Sequence, residues 1–408
     1  MTETFRPENQ DQVADILSWA NSDLKPLEMI SAGTKRGLGR PVQTAHTLDM
    51  SAFSGITLYE PEELVLGAGP ATPLAEIVAA LDEKGQQMAF EPPDLSALLG
   101  TASSGTIGGT VACNLAGPRR IKDGAARDHF LGFDGVSGRG QAVKSGGRVM
   151  KNVTGYDLPK LICGSYGTLT AMTALTIKVL PKPEKQRTVL VRGVDARAAV
   201  KALASGLNGP FEVSGAAWMP ASVAGRSGVS YVHAAGEPVA ALRLEGFGPS
   251  VEYRCGTLRK RLADFGETEE LHTQNSAAFW REIRDVSAFS GDDRVVWRIS
   301  LAPMDAPLLL DRILPTIKGA EAYLDWAGGL IWLAVDAPKQ GAHEPIRDAL
   351  SETAGGGHAT LVRGSASLRS AAPVFQPQPA PVAALTSRIK DAFDPNRILN
   401  PGRMTKGV

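Results

Sequence analysis

Apolar residues recur with helical spacing near the start of the chain and with strand-like spacing further on. Val13, Ile16, Leu17 and Ala20 fall at i, i+3, i+4 and i+7, which predicts a helix with one apolar stripe, and "PLEMISAG" after it reads as a short strand ending in glycine. The alternation repeats in "LVLGAGPATPLAEIVAALDEKG". Here the pattern predicts a strand, a turn, Thr72 as N-cap, Pro73 as first helical residue, an inward face of Leu74, Ile77, Val78 and Leu81, and Gly85 as the stop.

Between Arg119 and Pro181 the apolar runs shorten and glycines recur, which suits antiparallel strands joined by tight turns. "LPKPEKQR", Leu180 to Arg187, marks a boundary. Beyond it, "AALRLEGFG" and "RVVWRISLAP" read as strands each followed by a helix, "AYLDWAGGLIWLAV" as a hairpin, and "EPIRDALSETAGGGHATLVRG" as a helix leading to a strand. Together they predict an antiparallel sheet covered by helices on one face. "SASLRSAAPVFQPQPAPVAAL" reads as an extended connection, and "LTSRIKDAFDPNRILNPGR" as a helix followed by a proline-bounded turn. The fold class this implies is α+β, not doubly wound α/β.

Composition narrows the function. With 408 residues, 43% of them hydrophobic, the chain has material for two cores, and 43 basic against 43 acidic residues give no overall charge to attract nucleic acid or an anionic membrane. The ligand expected is small. Cys113, Cys163 and Cys255 are far apart and form no C-x-x-C pair, so neither a disulfide framework nor an iron–sulfur cluster held by this chain is expected. The first twenty residues have neither the basic region nor the apolar core of a signal peptide, and no apolar run reaches about 18 residues. A cytoplasmic location is expected, with any membrane contact made through partners.

Two glycine-rich loops stand about seventy positions apart, "SAGTKRGLGRP" and "GTIGGTVACNLAGPRR". Neither has the G-x-G-x-x-G form that follows a strand and opens a helix in nicotinamide-binding folds. Two such loops can instead clasp one extended dinucleotide: the first around its pyrophosphate, with Thr34, Lys35 and Arg36 adding a hydroxyl and positive charge, and the second along its ribityl chain and ring.

The ordered set "SAGTKRGLG", "EPPDLSALLGTASSGTIGGTVACN", "KNVTGYDLPKL", "GSYGTLTAMTALTIKVLP" and a terminal "FDPNRILNPGR" resembles the FAD-binding fold of the vanillyl-alcohol oxidase/p-cresol methylhydroxylase family. This likeness covers about the first 185 residues and the last 20. Within the family the chain is similar to the flavin subunits of glycolate-oxidising complexes, through "LRLEGFGPSV", "VWRISLAP", "YLDWAGGLIWL" and "GGGHATLVRG".

The resemblance implies a PCMH-type FAD-binding domain over residues 1–185, an antiparallel sheet-and-helix cap over 186–365, and a segment 366–408 that returns to the first domain. It implies that Ala32, Gly33, Thr34, Lys35, Arg36 and Gly37 contact the pyrophosphate and that Asp94 lies near the flavin. Thr106, Gly108, Gly109 and Asn114 would line the ribityl and diphosphate, and Gly164, Gly167, Thr168 and Leu169 would pass near the adenine. It also implies a sister flavin subunit, an iron–sulfur subunit and glycolate as the substrate of the complex.

Two departures qualify this. The first loop carries Lys35 and Arg36 where covalently flavinylated relatives often place histidine, so the FAD expected is non-covalent. The histidine-rich H-G-x-G-N-x-H motif of relatives that oxidise 2-hydroxy acids is absent; His46, His129, His233, His272, His343 and His358 are all isolated, and no metal site is expected. His358, opening a strand after three glycines, is the one candidate general base. Arg243 and Glu245 alternate with leucines, which places them on one face as a surface ion pair, and Tyr156 and Asp157 read as structural. Three functions remain open: an auxiliary or electron-transferring flavin subunit, a self-sufficient 2-hydroxy-acid dehydrogenase, and a scaffold without redox turnover.

Overall fold

A computed structural model describes residues 3–148, 155–336 and 340–407. The first helix, Gln10–Ser22, is capped by the Asn9 side chain and buries Val13, Leu17 and Ala20. It leads into the strand Leu27–Ile30, which pairs in parallel with His46–Asp49, itself paired with Glu3–Phe5. A five-stranded antiparallel sheet stands beside this one, in the order Ile56–Glu60, Val65–Ala68, Thr170–Lys178, Phe130–Ser137, Ala142–Gly146.

The helix Leu74–Glu83 buries Leu74, Ile77 and Leu81. Its start differs from the sequence reading: Pro73 is the N-cap, and the fully buried Thr72 bonds through Oγ1 to Gly55 and Gly69, closing the turn instead of capping the helix. Val78 is exposed, and Gly85 ends the helix at φ +63°.

From Lys185 the chain builds an eight-stranded sheet in the order Thr268–Leu271, Lys185–Arg192, Val239–Gly246, Val213–Met219, Glu321–Asp325, Leu330–Val335, Val295–Leu301, Gly357–Arg363. Glu321–Asp325 and Leu330–Val335 form the hairpin expected from "AYLDWAGGLIWLAV".

Helices cover both faces of this sheet, not one. Ala196–Leu207, Gly248–Leu262, Ala306–Ile313 and His343–Ser351 bury the outer core with Val200, Leu203, Leu258, Leu309 and Ile346. Thr273–Arg284 covers the inner face with Phe279, Trp280 and Ile283, joined by Leu38, Leu95 and Leu98 from the first region. That inner face is where the two regions meet.

The stretch read as an extended connection contains a helix, Ala366–Ala371, and supplies the start of another, Ala380–Phe393. The chain then returns to the first region: Ile398 and Leu399 enter the core around Val13, Leu17 and Leu48. Buried Lys390 fixes this return, donating to Thr168 O at 2.6 Å, Leu399 O at 3.2 Å and Asp394 Oδ2 at 2.7 Å. Lys151 to Thr154 of the "KNVTGYDLPKL" stretch lie outside the described residues, and Tyr156, read as structural, is 90% exposed.

Candidate functional site

A cleft opens between the two glycine-rich loops. Ser31 to Arg36 form one wall, Thr106, Gly108 and Gly109 another, and the floor is apolar, with Met29, Met50, Pro70 and Met172.

The first loop departs from the end of the strand Leu27–Ile30 and turns with Gly33 at φ +71°, a conformation in which a Cβ is strained. The turn leaves a run of donors: among the described residues, the backbone N–H groups of Ala32, Gly33, Thr34 and Lys35 meet no protein acceptor. A series of free amides on one turn is an anion-binding concavity. The Lys35 ammonium donates to Ser104 O at 2.7 Å, tying the first loop to the second, and burial holds its pKa below the usual lysine value. Arg36 is already paired with Glu28 and half-exposed, so its charge is largely answered within the protein.

The second loop differs. Ile107 N donates to Thr72 O, Gly108 N to Pro70 O, and Gly109 N to the Thr106 hydroxyl that caps the short helix Ile107–Ala112. Its amides are used by the fold.

The structure brings Ala32, Gly33, Thr34, Lys35, Arg36, Thr106, Gly108, Gly109 and Gly167 together around the cleft. The other expected residues stand back from it. Gly37 packs toward Leu99, and Asn114 accepts from Arg127 N and from the Cys163 thiol. Gly164 N donates to Val111 O, Thr168 donates its hydroxyl to Ser165 O, and Leu169 is buried in the core of the five-stranded sheet. Asp94 lines a second cleft between the regions, where its carboxylate accepts from Ser96 N. His358 is exposed on the edge strand Gly357–Arg363 and, like the other five histidines, lines neither cleft.

Sequence reasoning returned the C-terminal segment to the first domain but placed none of its residues in the site. Asn400 accepts from Met29 N at 2.8 Å and donates to Tyr166 O at 3.0 Å, while Arg403 donates to Lys35 O at 2.9 Å; both line the cleft. The only signal was the terminal "NPGR", whose proximity to the first loop is made by the fold alone. Cys113 and Tyr166 also line the cleft, and burial pushes the Cys113 thiol up to about 11.

Arg243 and Glu245 do share a face, but it is the buried inner face of the sheet and not a surface. Arg243, with 0% of its surface exposed, is held by Glu91 of the first region at 2.9 and 3.0 Å, and Glu245 accepts from Arg119 at 2.7 and 2.9 Å. Burial works against the Glu245 charge, but Arg243 and Arg119 outweigh it and hold this carboxyl down to about 2.

Residues 3–146 match the FAD-binding domain family FAD_binding_4. The chain is 36% identical over 386 residues to glycolate oxidase subunit GlcE of Escherichia coli, covering 94% of each chain, and 32% identical over 195 residues to glycolate oxidase subunit GlcD of Bacillus subtilis, covering 47% of this chain and 40% of that one. Among solved structures, p-cresol methylhydroxylase superposes with a TM-score of 0.69 at 16% identity, over 99% of this chain and 88% of that one, which places the fold in the PCMH type.

The chain therefore binds FAD and is an oxidoreductase of the FAD-dependent class. The cleft fits that cofactor: free amides and an ammonium suit a diphosphate, and the methionine- and proline-lined floor suits a flat ring. With GlcE matched across nearly its whole length, the chain belongs to the glycolate oxidase subunit GlcE family.

Proposed function

We propose that this chain is the FAD-carrying subunit of a heteromeric enzyme that oxidises glycolate to glyoxylate and passes the electrons through a partner iron–sulfur subunit toward quinone. The observation that carries this reading is the GlcE likeness over 94% of the chain, combined with a cleft whose free donors suit a diphosphate. When bound, the flavin would supply a two-electron carrier between the oxidised hydroxy acid and the iron–sulfur subunit.

The residues of this chain bind and orient. The amides of Ala32 to Lys35 take the diphosphate, with the Lys35 ammonium beside them, and Thr106 and Gly109 form the opposite wall. Gly37, Asn114, Gly164, Thr168 and Leu169 act at one remove by holding the loops in place, and Asp94 belongs to the neighbouring inter-region cleft. Attachment is non-covalent: no histidine adjoins the cleft, and a Cys113 thiol pushed up to about 11 carries little thiolate.

No imidazole stands where it could take the hydroxyl proton, which assigns that step to a sister flavin subunit related to GlcD. Among the described residues no helix is long and apolar enough to cross a membrane, and we assign the chain a cytoplasmic position, with membrane contact through partners.

Acid precipitation of the purified chain tests the mode of attachment: FAD should appear in the supernatant, and flavin retained by the pellet contradicts it. Glycolate-dependent dye reduction tests the rest. The lone chain should be nearly inactive and regain activity when mixed with a GlcD-type subunit and a cysteine-rich iron–sulfur subunit. If the lone chain matches the assembled complex, the self-sufficient dehydrogenase replaces this reading.

A further inference from the structure

The six tyrosines divide by what their hydroxyls meet. Tyr156, Tyr231 and Tyr253 are exposed, so water serves them. The other three are at least partly buried, and in two of them the hydroxyl has a protein acceptor: Tyr59 donates to Gln86 Oε1 at 2.9 Å and Tyr323 to Ile283 O at 3.2 Å. Tyr166 is the exception. It lines the cleft between the glycine-rich loops, and among the described residues its hydroxyl makes no hydrogen bond.

The backbone marks the same residue. Tyr166 is held at φ +55°, a left-handed conformation that strains any residue with a Cβ, between Gly164 at +86° and Gly167 at +69°. A glycine would take this turn without strain. The conformation is nonetheless fixed from two sides: Tyr166 N donates to Ala112 O at 2.9 Å, at the end of the helix Ile107–Ala112, and the Asn400 side chain donates to Tyr166 O at 3.0 Å. Backbone strain that the surroundings over-determine in this way collects at ligand-binding positions.

Packing accounts for the ring and not for the oxygen. The ring meets Phe375 edge-on, with centroids 5.0 Å apart, and leans on the inner-face core of the eight-stranded sheet. A phenylalanine would make both contacts as well. The hydroxyl adds a donor in a half-buried place, and such a group ordinarily finds a partner. Burial pushes its pKa up, so it stays a neutral donor.

A diphosphate already has its donors elsewhere in the cleft. The free amides of Ala32 to Lys35 and the Lys35 ammonium belong to the wall formed by the first loop, whereas Tyr166 comes from the turn "CGSYG" that leads into the strand Thr170–Lys178. What remains for a lone donor on that turn is a ring, whose nitrogens and carbonyls accept hydrogen bonds.

We propose that the Tyr166 hydroxyl donates a hydrogen bond to the acceptor edge of a ring of bound FAD, with the left-handed turn aiming it. Adenine and flavin share this acceptor chemistry. The inference rests on FAD binding by this chain and is independent of which substrate the assembled enzyme oxidises.

The test is Tyr166→Phe, which removes the oxygen and keeps the ring. FAD affinity, measured by calorimetry on the FAD-free chain, should fall about three- to tenfold, while the denaturant midpoint of that chain stays unchanged. Tyr156→Phe, at a tyrosine 90% exposed, should leave the affinity intact. Titration with ADP identifies the ring: an equal loss of ADP affinity assigns the hydrogen bond to the adenine half. Unchanged ADP affinity, with a shift of the visible bands of bound FAD between Tyr166→Phe and the unaltered chain, assigns it to the flavin. Equal FAD affinity in Tyr166→Phe and the unaltered chain overturns the proposal, and so does an affinity loss matched by a lowered midpoint of the FAD-free chain, which would make the hydroxyl structural. An unaltered chain that takes up no FAD removes the cofactor reading itself, a failure distinct from that of Tyr166.

Discussion

The two glycine-rich loops look alike in sequence and do different work. In the first, the Ala32 to Lys35 amides have no acceptor among the described residues, and these residues line the cleft. In the second, glycine mainly lets protein approach protein: a Cβ on Gly108 would lie 2.6 Å from Pro70 O, and one on Gly117 would press on the Glu91 carbonyl. Gly109 is the exception, since a Cβ there would meet only Lys35 Cγ at 3.4 Å and Thr106 Oγ1 at 3.5 Å. Glycine density thus marks close approach, and only the hydrogen-bond account of each amide tells whether a ligand or the chain itself is approaching.

The second loop also leans on the buried charge network, so breaking that network should have the largest effect. Glu245→Ala leaves Arg119 without its bidentate acceptor and should cost about 3–5 kcal/mol in the denaturant unfolding of the FAD-free chain. The pH dependence has a definite sign. The folded-state pKa of Glu245, about 2, lies below the usual value of about 4.3. Its contribution is therefore fully present above about pH 4.3 and is lost as pH falls toward 2, a loss that Glu245→Ala should lack.

Gly108→Val comes next: overpacking against Pro70 should cost about 1–3 kcal/mol and lower stability and FAD occupancy together. Gly109→Val should separate the two. Its side chain enters the cleft, so FAD affinity should fall about tenfold or more, while unfolding of the FAD-free chain changes by less than about 1 kcal/mol. Equal effects of the two substitutions on stability would erase the distinction between packing and ligand-facing glycines. The smallest effect expected is that of Lys35→Met, about three- to tenfold in FAD affinity with a weaker dependence on salt, measured by fluorescence titration at two ionic strengths.

Legibility in the sequence followed the range of the interaction. The helix Gln10–Ser22 and the hairpin Glu321–Asp325 with Leu330–Val335 were readable because periodicity and turn residues are local. The start of the helix after Thr72 was misread by one residue because the Thr72 hydroxyl bonds across to Gly55, seventeen positions back. Glu91 and Arg243 are 152 positions apart, and nothing in either segment announces the other, so a buried clasp read as a surface pair. Asn400 and Arg403 reach the cleft only because Lys390 and Asp394 anchor the returning chain. The ordered family motifs pointed to the two glycine-rich loops, but which of their residues line the cleft and which support it depends on the packing between them.

Hydrogen exchange with and without FAD tests the central claim most directly, because it reads the amides themselves. FAD should slow exchange strongly in peptides covering Ala32 to Lys35, whose N–H groups are free in the protein alone, and only modestly at Ile107 and Gly108, whose N–H groups are already bonded to Thr72 and Pro70. Unchanged exchange at Ala32 to Lys35 on saturation with FAD, with the slowing confined to the second loop, would contradict the account.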